Sequence, residues 1–249
     1  MARKKKNNFM NWHQEKIKKH PQCTNTQLVS DVDILYPPFA LAILKIFAKA
    51  REAGLGICIY ETYRAQERQL ELFDKGKTKL KSNGMHHFGV ATDIVFFNDK
   101  KWPSWDATHP WSRLGEFGKS LGLYWGGDWE DFRDLPHFQL IKATSAEQAK
   151  IVNGEYPAYD SQIDSYLEQL IPAYNKVKSS NYSDPSMQDF LLVFKKIESP
   201  KIIESEPTST EKAEHISDLP KENKRPETSI LSVILAWCTE QIKKLRKPK

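Results

Sequence analysis

Apolar residues recur through the first half of the chain with spacings that predict helices alternating with short strands. Between residues 39 and 53 they fall three and four positions apart, the period of an amphipathic helix, and Gly54 can end that helix. The apolar run at residues 57–60 then predicts a short strand. Residues 63–76 carry a second apolar stripe and predict another helix, with Arg64 near its start.

The middle of the chain continues this alternation. Residues 94–97 are all apolar, which predicts a buried strand. Residues 111–121 predict an amphipathic helix, and the pair Gly126-Gly127 predicts a turn. Residues 138–140 alternate between apolar and polar, as in a half-buried strand. Helices and short strands in this order predict an α+β domain with a small antiparallel sheet and flanking helices.

Composition and charge narrow the class of protein. With 249 residues, 39% of them hydrophobic, the chain can bury one ordinary core, which favours one domain with extensions. The net charge of +5 would suit nucleic acid, but the lysines are scattered and no recognition helix or RNA-binding signature accompanies them. We therefore expect no nucleic-acid partner, and another anionic polymer would suit the charge equally well.

The cysteines and the N-terminal segment indicate the cellular compartment in which we expect the protein. The three cysteines show neither Cys-x-x-Cys spacing nor an even-numbered framework, which favours free thiols: Cys23, Cys58 and Cys238. The basic first residues are not followed by an apolar segment long enough for a signal peptide. We therefore expect a protein that stays in the cytoplasm until it is released.

Two short segments carry residues that together suit a metal site. Residues 86–93 read HHFGVATD, and residues 134–139 read DLPHFQ. Two imidazoles and one carboxylate are the usual protein ligands of a catalytic zinc, which keeps one position open, and a nearby acid can act as the base. Gly89 allows a tight turn after the first histidines, and Pro136 fixes the backbone directly before His137. Strand ends would then present the ligands on rigid backbone.

These segments also carry a family resemblance. The pattern His-x-x-Gly-x-Ala-x-Asp, followed by LGLYWGGDW and DLPHFQ, resembles the zinc peptidases that cut the stem peptides of bacterial peptidoglycan. It is most similar to the L-alanyl-D-glutamate endopeptidases of phage endolysins and bacterial autolysins, relatives of the D-alanyl-D-alanine carboxypeptidases. The resemblance covers residues 35–140 and implies that His86, Asp93 and His137 bind zinc and that Asp134 is the catalytic base.

Two further positions are interpreted through the same resemblance. Arg64 aligns with a family arginine thought to contact the substrate or the developing oxyanion. The family usually has a serine two residues before the first ligand, where this chain has Gly84. The missing hydroxyl affects a hydrogen bond around the site and not the metal ligands themselves.

Position within the pattern decides between adjacent candidates. His87 could replace His86 by composition, but only His86 keeps the family's spacing to the following glycine and aspartate. Glu130 and Asp131 compete with Asp134 as the base, but only Asp134 belongs to the same turn as the second histidine. We therefore predict His86 as a ligand and Asp134 as the base.

A loop rich in tryptophan leaves one more candidate open. His109 lies in this loop and is a secondary candidate for lining the cleft, against the commoner case of a solvated loop residue. The tryptophans around it are more often part of the core or of a cleft wall than platforms for sugars: Trp102, Trp105 and Trp111. We expect core and cleft-wall positions for them.

The resemblance implies hydrolysis of the peptidoglycan stem peptide at its L-alanyl-D-glutamate bond, with Arg64 steadying the oxyanion or a substrate carboxylate. The alternative enzyme is a D-alanyl-D-alanine carboxypeptidase or dipeptidase. The alternative from another class is a non-catalytic, metal-stabilised module that binds the cell wall. The presence of Asp134 argues against that module, since binding alone needs no base.

The whole chain is predicted to have four segments. A zinc peptidase domain at residues 20–145 is followed by a helical extension at 146–198, which contains an amphipathic stripe at 161–174. Residues 199–228 are polar, charged and rich in proline, which predicts a flexible linker. Residues 229–249 carry apolar positions at steps of four and three and end in basic residues, which predicts an amphipathic helix for membrane-surface contact or self-association.

Overall fold

Helices and short strands alternate along the part of the chain that the computed structural model describes, residues 11–98, 100–143, 145–180 and 184–198. The α-helices there are α1 (Trp12–Glu15), α2 (Pro37–Glu52), α3 (Gln66–Asp74), α4 (Trp111–Ser120), α5 (Ala146–Val152), α6 (Gln162–Val177) and α7 (Pro185–Glu198). The strands are β1 (Ile57–Glu61), β2 (Ala91–Phe97), β3 (Pro103–Ser104), β4 (Tyr124–Trp125) and β5 (His137–Gln139). The predicted α+β class with a small antiparallel sheet is confirmed.

The sheet aligns one polar residue from each of three strands. Its order is β1-β2-β5-β4 with antiparallel neighbours, and β3 pairs with the far end of β2. Glu61 of β1 lies opposite Asp93 of β2, and Asp93 lies opposite His137 of β5. Residues directly opposite each other point to the same side of a sheet. The three side chains therefore share one side, which we call the Asp93 face.

The other face of the sheet packs on helices. Phe138 follows His137 on β5 and so points away from the Asp93 face, where it lies against Gly118 of α4. The long helix α2 begins with proline, which lacks only an N–H that would have no helical partner at that position. Its residues Phe39 and Phe47 are fully buried. Helix α2 therefore provides much of the core beneath the sheet.

The helices after residue 145 share this core. Tyr174 of α6 meets Phe47 of α2 edge-on with ring centroids 5.0 Å apart, and Phe190 of α7 meets the same ring at 5.5 Å. The amphipathic stripe predicted at residues 161–174 therefore packs on the unit that contains the sheet. The predicted domain boundary at residue 145 stays a prediction.

Three local predictions are wrong in detail. Helix α3 begins at Gln66, so Arg64 precedes the helix and does not lie inside its first turn. Asp93 lies within β2, not before it, because pairing with β5 already begins at Ala91. Strand β5 is buried on both faces, not half-buried, because α4 covers one face and the cluster around His137 closes the other.

Two predicted segments lie outside the described residues. These are the linker at 199–228 and the amphipathic helix at 229–249, together with the membrane contact or self-association assigned to that helix. Among the helices that the structure does describe, none has both the length and the apolar character needed to span a membrane.

Candidate metal centre

Three side chains converge on the Asp93 face. His86 Nε2 lies 3.3 Å from His137 Nδ1, and Asp93 Oδ1 lies 3.4 Å from the first nitrogen and 3.1 Å from the second. Within the described ranges, these three residues form a group that could hold a metal ion. Bonds of about 2.0–2.1 Å at tetrahedral angles would place ligand atoms about 3.3 Å apart. The three atoms therefore fit around one tetrahedral ion.

The charges of the group also favour a cation. Burial lowers the pKa of His86, so its imidazole is neutral, which is the form that binds metals. Burial disfavours a charge on Asp93, but His86 and His137 outweigh burial and hold the pKa of that carboxyl well below its usual range. Burial likewise disfavours a charge on His137, yet the Asp93 carboxylate raises the pKa of this histidine. Arg64 is a positive partner for one oxygen of this carboxylate, and a metal ion could be the partner of the other.

A tight turn presents His86. The residue lies in a short 3-10 turn, Met85–Phe88, that ends at Gly89 with a φ angle of 65°, a left-handed conformation that glycine adopts without strain. A β-carbon at Gly89 would also lie only 2.8 Å from the carbonyl oxygen of Ile34. The chain therefore turns at Gly89 as predicted, and a larger residue there would displace the turn that carries His86.

A chain of hydrogen bonds fixes the ring of His137. Its Nε2 lies 3.0 Å from Gln139 Oε1, and Gln139 Nε2 donates to the carbonyl oxygen of Ile141, which determines the end of the amide that faces the ring. A proton on Nε2 then donates to Gln139 and leaves the lone pair of Nδ1 for a metal. Gln139 is not among the residues predicted from the sequence, although a residue two positions from His137 on a strand lies on the same face.

The second nitrogen of His86 lacks such support. His86 Nδ1 is buried, and the described part of the chain offers it no hydrogen-bond partner. Two residues earlier stands Gly84, where the resemblance leads us to expect a serine. A β-carbon at Gly84 would lie 3.4 Å from Gln69 Oε1, so a serine there would contact Gln69. The chain therefore has no side-chain hydroxyl at residue 84, and His86 Nδ1, two residues further on, has no hydrogen-bond partner among the described residues.

Asp134 lies beside the same cluster. Its carbonyl oxygen accepts a hydrogen bond from the His137 N–H at 3.2 Å, and its own N–H donates to the Gly126 carbonyl at 2.9 Å. Burial, and then the charge of Asp93, raise the pKa of Asp134 to about 6. A carboxyl of this kind can exchange a proton near neutral pH, which suits the predicted role of base.

Gly126 makes room for this arrangement. A β-carbon at this position would lie 2.5 Å from the carbonyl oxygen of Asp134 and 3.1 Å from the β-carbon of His137. The predicted Gly126-Gly127 turn forms a 3-10 turn here. A side chain at residue 126 would push the segment of Asp134 and His137 away, so this glycine sets the position of both.

Arg64 contacts two carboxylates. Its Nε lies 3.0 Å from Glu61 Oε2, which Nη2 also contacts, and Nη2 lies 3.2 Å from Asp93 Oδ2. Its Nη1 lies 3.4 Å from Gln69 Oε1. A guanidinium has five N–H groups, and these four contacts leave one on Nη1 for a further acceptor. Arg64 therefore orients Asp93 in addition to facing the site, and sequence analysis foresees only the second role.

We expect Arg64→Ala to lower metal affinity about 10- to 100-fold, because it removes the partner of the second Asp93 oxygen. Arg68→Ala is the matched control, since Arg68 Nε contacts the other oxygen of the same Glu61 at 2.5 Å. Competition with a chromophoric chelator measures both affinities. An equal loss in the two variants would assign the effect to the Glu61 ion pairs and not to Asp93.

The other candidate histidines make different contacts. His87 Nδ1 donates to the carbonyl oxygen of Arg64, and burial lowers the pKa of His87 to about 4. His109 stacks on Phe96 with ring centroids 4.7 Å apart. Phe96 is an odd number of residues from Asp93 along β2, so His109 lies against the opposite face of the sheet. Neither histidine joins the cluster.

The two alternative acids differ from Asp134 in their exposure to solvent. Glu130 and Asp131 are both exposed to solvent, whereas Asp134 is partly buried. The carbonyl oxygen of Asp131 accepts a hydrogen bond from Lys79 Nζ at 3.1 Å, a surface contact between two loops. The structure therefore favours Asp134 over both neighbours as the acid that faces the metal centre.

Comparison with known proteins agrees with this geometry. The family described as D-alanyl-D-alanine carboxypeptidase matches residues 76–140, which include the three clustered side chains and Asp134. The peptidoglycan L-alanyl-D-glutamate endopeptidase CwlK of Bacillus subtilis (strain 168) is 32% identical over 111 residues, 38% of this chain and 66% of that protein. The L-alanyl-D-glutamate peptidase of Listeria phage A118 is 30% identical over 146 residues, 56% of this chain and 51% of that protein.

One solved structure is less similar to this chain than the two curated relatives are. The L-Ala D-Glu endopeptidase ChiX of Serratia marcescens is 19% identical, with 47% of this chain and 92% of that chain covered and a TM-score of 0.38, too low to support an argument. The present chain spans less than two thirds of the length of both curated relatives. Their names therefore describe those proteins, and their activity is a hypothesis for this one.

Proposed function

This chain belongs to the D-alanyl-D-alanine carboxypeptidase family of metallopeptidases, and we propose that it is a zinc-dependent endopeptidase that cleaves the L-alanyl-D-glutamate bond of peptidoglycan stem peptides. The proposal rests on the cluster of His86, Asp93 and His137, whose candidate ligand atoms lie close together. Asp134 lies beside this cluster, where its carbonyl oxygen accepts a hydrogen bond from His137. The two curated relatives named for this bond support the choice of substrate.

Zinc is the proposed ion because of the donor set. Two imidazoles and one carboxylate at tetrahedral separations are typical of catalytic zinc sites, and His86, His137 and Asp93 would supply them. When bound, the ion would polarise the scissile carbonyl and acidify a water molecule. The protein's part is to hold these donors on rigid backbone, which the strand pairing of Asp93 with His137 achieves.

Asp134 and Arg64 would share the remaining chemistry. Asp134 would accept a proton from the attacking water and pass it to the leaving amine, since its pKa of about 6 lets it do both near neutral pH. The N–H that remains on Arg64 Nη1 would reach a substrate oxygen or the developing oxyanion. Because Arg64 also holds Asp93, it would couple substrate binding to the position of that candidate ligand.

The proposed partner is the bacterial cell wall. A net charge of +5 would draw the protein toward anionic wall polymers, and nucleic acid is not expected as a partner. The relative from a Listeria phage supports an endolysin-like use, in which the enzyme would remain in the cytoplasm until lysis and then act on the wall. Membrane-surface contact or self-association through residues 229–249 remains part of this proposal.

Digestion of purified peptidoglycan by the zinc-loaded protein tests the proposal. We expect new N-terminal D-glutamate or D-isoglutamine and muramyl fragments that end in L-alanine, identified by mass spectrometry. Removal of the metal with a chelator should stop the release, and added zinc should restore it. The matching family is described as D-alanyl-D-alanine carboxypeptidase, so free D-alanine as the main product would favour that activity. No product from a zinc-loaded protein would favour a wall-binding module.

A further inference from the structure

An aromatic surface adjoins the metal centre on the Asp93 face. The register of β1 shifts between Ile59 and Glu61, which makes Tyr60 the extra residue of a bulge. Tyr60 is partly buried, and its neighbour Glu61 lies opposite Asp93. Burial raises the pKa of Tyr60, and the charges of Glu61 and Asp93 contribute to the rise. The phenol therefore lies within electrostatic reach of the carboxylates at the centre.

Trp105 extends this surface from the neighbouring hairpin. Its ring meets that of Tyr60 edge-on with centroids 4.9 Å apart, and 50% of Trp105 is exposed. Ser104, the last residue of β3, pairs with Phe96, so continued alternation would turn the next residue to the other side of the sheet, the Asp93 face. At about 3.3 Å per residue, this register would place Trp105 about two residues, or about 6.6 Å, along β2 from Asp93.

The loop that carries Trp105 is held on both sides. The indole N–H of Trp111 donates to the carbonyl oxygen of Asp106 at 2.8 Å, and His109 Nε2 lies 2.9 Å from Ser104 Oγ. These contacts fix the backbone directly before and after Trp105 while half of its surface remains open. A fixed and exposed ring beside a reaction centre offers a large contact area at a low cost in conformational entropy. Of the two positions expected for Trp105, core and cleft wall, its exposure excludes the core.

We propose that Tyr60 and Trp105 form a saccharide subsite that holds N-acetylmuramic acid while the adjoining peptide bond is cleaved. The inference rests on the proposed function, because the L-alanine before the scissile bond is joined to the lactyl group of that sugar. One amino-acid residue and one lactyl group span at most about 7 Å. A substrate whose scissile carbonyl lies at the metal centre therefore has its sugar within about 7 Å of that centre, a range that includes the position inferred for Trp105.

The chemistry of the rings selects the sugar side of the substrate. Muramic acid within a stem peptide carries no charge, because its amine is acetylated and its lactyl carboxyl is part of an amide bond. The C–H faces of its ring are apolar enough to pack on an indole. The peptide beyond the scissile bond carries carboxylates, which the negative face of an aromatic ring repels. The subsite therefore fits the neutral sugar and not the acidic peptide.

Two soluble substrates with the same stem peptide test the subsite. One carries the disaccharide of N-acetylglucosamine and N-acetylmuramic acid on its L-alanine, and the other carries an acetyl group there. We expect the parent protein to cleave the first with a kcat/KM about three- to tenfold higher. Trp105→Ala should lose this advantage and keep its rate on the acetyl peptide, and Trp105→Phe should restore part of it. Trp102→Ala, which removes another exposed indole of the same hairpin, should keep the advantage. Its neighbour Pro103 pairs with Phe97 on the Asp93 face, so strand alternation would turn Trp102 to the opposite face.

Two kinetic results would overturn the subsite. These are a parent that cleaves both substrates equally well, and a Trp105→Ala variant that slows on both by the same factor. A parent that cleaves neither substrate would contradict the proposed function instead. The subsite is then decided by titrating the full chain with the disaccharide whose lactyl carboxyl is capped as a methylamide, which keeps it neutral, and following the indole N–H resonance of Trp105 by NMR. A saturable shift supports the subsite, and no shift contradicts it.

Discussion

Replacing Asp134 with asparagine should leave the fold and the bound metal in place while lowering turnover by about 10²–10⁴-fold. The amide keeps the shape of the side chain but cannot accept a proton at neutral pH. The backbone hydrogen bonds of residue 134 to Gly126 and His137 do not depend on the side chain, so the turn should survive. Metal content per chain, the unfolding temperature and the rate of peptidoglycan cleavage are the three measurements.

Asp131→Asn is the matched control, because it makes the same chemical change on an exposed acid three residues away. It should cleave peptidoglycan at close to the parent rate. If Asp134→Asn does so instead, the assignment of the base is wrong, and Glu130 and Asp131 become the residues to test. If Asp134→Asn loses its metal, Asp134 acts as a ligand or supports one.

The same substitution has a predicted effect on stability in the metal-free protein. The pKa of Asp134 rises from 3.8 to about 6 on folding, so the folded state holds this proton more tightly than the unfolded chain. The ionised carboxylate therefore destabilises the fold above about pH 6, and this penalty disappears as the pH falls through 6 toward 4. At neutral pH we expect metal-free Asp134→Asn to unfold at the same temperature as the parent or at a higher one.

His86→Ala should abolish tight metal binding, whereas His87→Ala should retain it. Of these two histidines, His86 contacts both Asp93 and His137. Its removal would leave two protein ligands, which cannot hold a tetrahedral ion as tightly as three. The loss should exceed the roughly 10- to 100-fold that removal of an outer partner causes. His87→Ala should instead lower the unfolding temperature, because it removes the hydrogen bond to the Arg64 carbonyl and leaves a cavity.

Metal stoichiometry by plasma emission, together with chelator competition, separates the two histidine variants. The pair is informative because the residues are adjacent, equal in chemistry and both buried. Full metal occupancy in His86→Ala together with a metal-free His87→Ala would reverse the chosen ligand. Loss of metal from both would show that the turn at residues 85–88 must be intact before either ring can bind.

The three clustered side chains could be singled out from the sequence as candidate ligands because the spacing that marks them is local. The steps from His86 to Gly89 and from Asp134 to His137 each span a single turn, and glycine and proline mark such turns in a sequence. The pairing of β2 with β5, which joins the two turns, could not be predicted. An apolar run predicts a strand but does not identify its neighbour. The sequence therefore predicts Asp93 at the end of a strand that begins at residue 94, whereas pairing with β5 places Asp93 inside β2.

Contacts between distant elements escaped prediction for the same reason. Arg64 meets Asp93 only because β1 and β2 pair, and Glu61, a buried acid within an apolar strand, showed no role until that pairing was known. The solvent exposure of the tryptophans could not be predicted from the sequence either. Trp105 is half exposed and Trp111 is buried, although both lie in one tryptophan-rich segment, because exposure depends on which layer covers each ring.

Hydrolysis of a purified disaccharide pentapeptide in water enriched in ¹⁸O distinguishes the proposed endopeptidase from a D-alanyl-D-alanine carboxypeptidase, because this substrate contains both bonds. Each hydrolysed peptide bond places one heavy oxygen in the carboxyl group it creates, and mass spectrometry of the fragments locates that group. We expect the label in the carboxyl of muramyl-L-alanine, and only when the protein carries zinc. Label in the carboxyl exposed by loss of D-alanine, or no label with a zinc-loaded protein, would contradict the proposed activity.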